Sequence, residues 1–164
     1  MSNSESNETL TRMGPGAAMG RVFRQFWQPA LLSEELPVAD CQPVRVRLMG
    51  EDFVAFRDSS GKVGLLDAHC PHRLADLFFG RNEEGGLRCV YHGWKFSVAG
   101  EILDMPSEPQ GSPMRCNANL RAKAYPVREA GGIIWAYLGP QESMPALPDM
   151  EFMSLPPQNV HVSK

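Results

Sequence analysis

Cys70-Pro71-His72-Arg73-Leu74 and, with sixteen residues between His72 and Cys89, Cys89-Val90-Tyr91-His92-Gly93-Trp94 are the segments on which the reading of this chain turns. Each places one thiol and one imidazole on a short loop beside a strand. Zinc accepts two Cys and two His, but its usual spacing puts the cysteines on one knuckle and the histidines on another. One of each per loop suits a [2Fe–2S] cluster with unlike irons, one held by two thiolates and one by two imidazoles. Zinc on the same four side chains stays open as the alternative. Cys41 and Cys116 have no histidine at ligand spacing and read as ordinary thiols.

Strand patterns surround both loops. Val44-Arg45-Val46-Arg47-Leu48 alternates, Gly50-Glu51-Asp52 turns, and Phe53–Phe56 continues as a second strand. Ser59–Lys62 turns into a third, Val63–Leu66. Gly85–Val90, Lys95–Ser97 and Glu101–Leu103 read as short strands, with a turn at Ala99-Gly100. Ile133–Leu138 is a strongly apolar strand. Many short strands with Gly and Pro turns predict a mainly β fold, a small antiparallel sandwich or barrel.

Ahead of the strands, Met19, Val22, Phe23, Phe26 and Trp27 fall on one helical face, and Pro29 marks a stop. A docking helix is expected there. Residues 1–13 are polar and read as a disordered lead. Five prolines between Pro140 and Pro157 make 140–164 a linker or extended wrap, not a core element. With only Val160–Lys164 beyond its Pro-rich part, this stretch is expected to lead towards a further domain.

The 164 residues suit one ordinary domain, expected over 14–139. Sixteen Lys and Arg against nineteen Asp and Glu give a net charge of −3, which argues against nucleic acid as a partner. No apolar run approaches the ~20 residues of a membrane-spanning helix. The polar start carries no export signal, so a cytoplasmic, reducing setting is expected, in which clustered cysteines bind metal more often than they pair.

The Cys-x-His and Cys-x-x-His pairs resemble the Rieske signature of ring-hydroxylating and demethylating oxygenases. Leu10–Gly16, Phe56-Arg57-Asp58, Phe79–Glu84, Tyr91–Phe96 and Asp104–Pro109 are similar to the phthalate 4,5-dioxygenase type of oxygenase α subunit, over nearly the whole chain. The resemblance implies that Cys70 and Cys89 hold one iron of a [2Fe–2S] cluster and His72 and His92 the other. It implies a domain that takes single electrons from a reductase and passes them to a mononuclear iron, often across a subunit boundary in a trimer, for oxidation of an aromatic substrate. Residues 159–164 resemble the crossing into a catalytic domain. His69 and His161, the remaining histidines, offer no second iron site, so no catalytic residue is expected in this chain. A stand-alone Rieske ferredoxin and a zinc-stabilised β binding module are the competing readings.

Two departures stand out. Related sequences usually carry Gly where this chain has Leu74, which is costly if that position needs positive φ. Some Rieske proteins tie their loops with a disulfide; the corresponding positions are Ala75 and Tyr91, so packing and hydrogen bonds must serve, with Trp94 and Phe96 as the apolar supports.

Overall fold

In the computed structural model, which describes residues 3–117 and 119–163, the elements run in chain order as α1 (Asn3–Thr11), α2 (Ala18–Phe23), β1 (Trp27–Leu32), β2 (Val44–Leu48), β3 (Glu51–Arg57), β4 (Val63–Asp67), β5 (Arg81–Glu83), β6 (Gly86–Arg88), β7 (Lys95–Phe96), β8 (Ile102–Asp104), β9 (Ala124–Tyr125), β10 (Val127–Ala130), β11 (Ile133–Tyr137) and α3 (Glu151–Ser154). The strands form three antiparallel sheets, ordered β1-β11-β10, β2-β3-β4-β9 and β5-β6-β7-β8. This is the mainly β, antiparallel fold that the pattern predicts.

Two compact units divide the chain. One is Glu34–Val46 with Asp52–Tyr125; the other is Met1–Ser33, Arg47–Glu51 and Pro126–Lys164. The expected single span 14–139 cuts across this division.

The first of these units carries both Cys-His loops. Phe53, Val54, Ala55 and Phe56 are all buried, so β3 is covered on both faces and its residues read as a continuous apolar run. Val54, Phe56, Leu66, Leu77, Leu87, Trp94, Phe96 and Met105 form one core cluster, and Cys70 and Cys89 belong to it. The thiols are therefore packed among hydrophobic side chains.

In the other unit, the expected helix over Met19–Trp27 stops at Phe23, and Trp27 begins β1. Pro29 sits within that strand instead of ending a helix. It is tolerated because β1 is an edge strand and its register shifts between Pro29 and Leu31. Burial of Trp27 against Tyr137 and Trp135 overrides the helical periodicity. The polar lead also differs from expectation: its described part is the helix α1. Thr9 and Thr11 hydroxyls donate to the carbonyls of Glu5 and Asn7, and Glu8 pairs with Arg12, all at helical spacing. Met1 and Ser2 lie outside the described residues.

The Pro-rich stretch after 140 wraps on its own unit. Met144, Leu147, Met150, Phe152 and Met153 pack around Trp27, Trp135 and Tyr137, and the Trp27 indole N–H donates to the Pro145 carbonyl at 2.9 Å. Within it, Glu151–Ser154 is helical. Proline spacing hid this, since the packing residues are the apolar ones between the prolines.

Candidate metal centre

Cys70–Ala75 follows β4, and Cys89–Trp94 joins β6 to β7. Both loops close by the same two backbone bonds. In the first, Leu74 N–H donates to the Cys70 carbonyl at 2.9 Å and Cys70 N–H to the Ala75 carbonyl at 2.8 Å. In the second, Gly93 N–H donates to the Cys89 carbonyl at 3.1 Å and Cys89 N–H to the Trp94 carbonyl at 2.8 Å.

Each loop is anchored by charge at its edge. Asp76 caps the short turn Leu77–Phe79, accepting the Phe78 N–H at 2.9 Å and an Arg45 N–H at 2.7 Å. The Arg45 guanidinium also lies 4.0 Å from the Phe78 ring centroid. Burial alone would raise the Asp76 carboxyl, yet the Arg45 and Phe78 donors override it and hold it below its ordinary value. At the second loop, Arg88 donates to the Gly93 carbonyl at 2.8 Å, to Asp104 at 2.9 Å and to Glu83 at 2.8 Å.

The loops bring the four singled-out residues together in two like pairs. Cys70 and Cys89 are buried neighbours, 2% and 3% exposed. Burial pushes the Cys70 thiol up to about 11; the backbone N–H groups of His72 and Arg73 oppose this, and the neighbouring Cys89 thiol adds to it. The imidazoles of His72 and His92 lie with centroids 4.5 Å apart. Burial, then the charge of His92, holds His72 below its ordinary value. His72 Nδ1 is buried and makes no hydrogen bond. A buried ring nitrogen without a partner is costly unless something else binds its lone pair. Among the described residues, no three His, Cys, Asp or Glu side chains converge on a single metal-ion position. The donor set suits a binuclear group that asks for only two protein ligands at each metal, and it fits a [2Fe–2S] cluster with unlike irons.

Both expected apolar supports, Trp94 and Phe96, are fully buried in the cluster that holds the thiols. The Trp94 ring stacks on His72, with centroids 4.3 Å apart and planes 1° from parallel. Its indole N–H donates to the Ser107 hydroxyl at 3.1 Å. His69 bridges to Asp76, His161 is exposed, Cys116 is exposed, and the Cys41 carbonyl accepts from Asn82. All four cysteines are free. Sequence reading missed Arg45, Asp76, Arg88 and Ser107 as supports. Arg45 and Arg88 lie in segments read only as strands, and it takes the folded chain to reveal their partners Asp76 and Asp104.

The family described as Rieske [2Fe-2S] domain matches residues 26–126. The chain is 48% identical, over 99% of its length, to the 3-chlorobenzoate-3,4-dioxygenase oxygenase subunit of Comamonas testosteroni, and covers 37% of that protein. It is 49% identical, over 88% of its length, to the phthalate 4,5-dioxygenase oxygenase subunit of Pseudomonas putida, and covers 33% of it. Among solved structures, dicamba monooxygenase with non-heme iron and dicamba superposes with a TM-score of 0.68 at 31% identity, over 77% of this chain and 38% of that one. The chain thus spans about a third of the length of these relatives.

Proposed function

Since the chain belongs to the Rieske [2Fe–2S] family and carries the Rieske domain of the ring-hydroxylating oxygenases, we propose that Cys70 and Cys89 hold one iron of its cluster and His72 and His92 the other. When bound, such a centre supplies one-electron transfer. The observation that carries the assignment is the pairing itself: two buried thiols side by side, and two adjacent imidazoles of which one presents an orphaned Nδ1.

The chain's own residues do three things for that centre. The apolar cluster around Cys70 and Cys89 excludes water from the thiolate side. The His72 and Arg73 backbone N–H groups aimed at the Cys70 sulfur favour its ionised form. The Arg45–Asp76 and Arg88–Asp104 contacts fix the loop edges. Burial raises the Cys70 thiol, so holding iron at neutral pH would release its proton.

The electron donor in this reading is a reductase. The acceptor is a mononuclear iron site outside this chain, in an adjoining catalytic domain or a neighbouring subunit of a trimer, and the substrate is an aromatic ring compound. The names of the two relatives, both oxygenase subunits of aromatic acid dioxygenases, support an oxygenase part over a stand-alone ferredoxin. The like-paired donors support iron–sulfur over zinc. Iron and sulfide analysis tests the centre: two irons and two acid-labile sulfides per chain are expected, and zinc, or one iron without sulfide, overturns it. His72→Cys and His92→Cys should each lower the midpoint potential, since thiolate donates more charge than imidazole. An unchanged midpoint removes that residue from the ligand set.

A further inference from the structure

Nothing covalent joins the two loops: Ala75 and Tyr91 occupy the positions where a bridge would stand, and all four cysteines are free. What crosses from one loop to the other is a side-chain stack. Trp94, in the second loop, lies parallel to His72, in the first, at 4.3 Å and 1°. Three features make the indole a rigid platform. It is fully buried, so its rotamers are restricted by packing. Its N–H donates to Ser107 Oγ, which removes rotation about its last side-chain bond. The segment carrying Ser107 is also seated on the second loop, since a Cβ on Gly93 would lie 2.8 Å from Pro106 Cγ.

We propose that Trp94 is a positioning residue that sets the ring plane of His72, and that Ser107 fixes Trp94 in turn. An imidazole ligand turns about its bond to a metal unless its other side is held. Ligand histidines are commonly fixed by a hydrogen bond from the free ring nitrogen to a carboxylate or carbonyl. Here a flat wall lies against the ring, and the wall belongs to the opposite loop. Separation of the loops would therefore be felt at His72 before any ligand bond is lost.

The inference rests on His72 being a ligand, and the test keeps the two apart. Iron and sulfide content of the wild-type protein decides the ligand reading alone. The variants Trp94→Phe, Trp94→Leu and Ser107→Ala, loaded in parallel, are read by the EPR spectrum of the reduced cluster and by the rate of cluster loss to a chelator. The spectrum reports the ligand geometry at the histidine-bound iron, which a general loss of stability does not change. W94L, which removes the ring, should broaden the spectrum and speed cluster loss about tenfold or more, the usual scale for losing a ligand's support. W94F, which keeps a smaller flat ring, should fall between W94L and wild type. A wild-type spectrum in W94L, or W94F and W94L alike, overturns the proposal. If W94L does not fold, W94F and S107A decide it: both remove the indole bond to Ser107, both should broaden the spectrum, and a wild-type spectrum in both overturns it.

Discussion

Leu74 and Gly93 occupy the same position in the two cluster loops. Each is four residues after its cysteine, each donates its N–H to that cysteine's carbonyl, and each has positive φ, 57° for Leu74 and 73° for Gly93. The histidines differ instead, His72 falling two residues after its cysteine and His92 three. The first loop therefore keeps the shape of the second with a residue unsuited to it. A left-handed conformation costs an L-residue about 1–2 kcal/mol, and Leu74 recovers little by burial because it is 72% exposed. Leu74→Gly should stabilise the protein by about 0.5–1 kcal/mol, part of the relief being offset by glycine's greater freedom when unfolded. Gly93→Ala should do the reverse by about 2 kcal/mol, since it adds the same strain and a Cβ 2.8 Å from Pro106 Cγ. Urea midpoints check both; a destabilised L74G would show that the Leu74 side chain makes contacts worth more than its strain.

Arg88 holds the second loop through one carbonyl and two carboxylates while only 14% of its side chain is exposed. Removing it leaves the Gly93 carbonyl and Asp104 without that charged donor, while Glu83 keeps Arg81. Arg88→Ala should cost about 2 kcal/mol, the scale of hydrogen bonds to a charged group. Asp104→Asn should cost less, because Asp104 is 41% exposed and water can replace what it loses. Equal effects from the two, by urea unfolding, would mean that the loop is held by Asp104 alone.

The same contacts make stability depend on pH. The Arg88 donor, acting against partial burial, holds the Asp104 carboxyl below its ordinary value. Arg81 and then Arg88 do so for Glu83. A carboxyl with a depressed folded-state pKa contributes its stabilisation in full above the unfolded value, about 4, and loses it as pH falls through the depressed one. Thermal midpoints of the wild type should fall on acidification below pH 4, and D104N should show a shallower fall. A slope unchanged in D104N would place the acid sensitivity elsewhere.

How much of this was legible depended on the range of the signal. The alternation in Val44–Leu48 and the apolar run Phe53–Phe56 each declare a strand within a few residues, and both strands formed where the pattern put them. The paired Cys-His spacing likewise marked the residues that the fold gathers. Trp27 misled because its spacing from Phe23 is helical, while its burial is decided by Tyr137, more than a hundred residues away. Ser107 could not be assigned a part, because a serine near a proline reads as a turn until Trp94 is seen donating to it. Leu74 was legible as a departure from family pattern, and its positive φ is the physical content of that departure.

With four free cysteines and no bridge position filled, the loops depend on non-covalent support. Incubation of the loaded protein with a mild dithiol, without chelator, should leave its visible spectrum unchanged. Bleaching under those conditions would reveal a disulfide or a thiol-labile ligand that the structure does not contain.

The reduction potential decides which way electrons run. Rieske centres span about −150 to +300 mV, set by charge, exposure and hydrogen bonds to sulfur. A hydroxyl that donates to a sulfide or ligand thiolate stabilises the added electron and raises the potential. High-potential Rieske proteins place Ser two residues and Tyr four residues after the second histidine; here those positions hold Trp94 and Phe96. Neither side chain has a hydroxyl, and the one polar hydrogen between them, on the Trp94 indole, is already given to Ser107 at 3.1 Å. Tyr91 does carry a hydroxyl, but its side chain is on the exposed side of the loop, 61% accessible, with its ring against His92. The midpoint should therefore lie in the low part of the range, where a nicotinamide-driven reductase can reduce the centre. Phe96→Tyr, introducing a hydroxyl at a fully buried position of the cluster that holds both thiols, should raise it if the hydroxyl finds sulfur. Redox titration followed by EPR measures both, and a wild-type midpoint in the strongly positive part of the range would mean that a donor other than these side chains governs the potential.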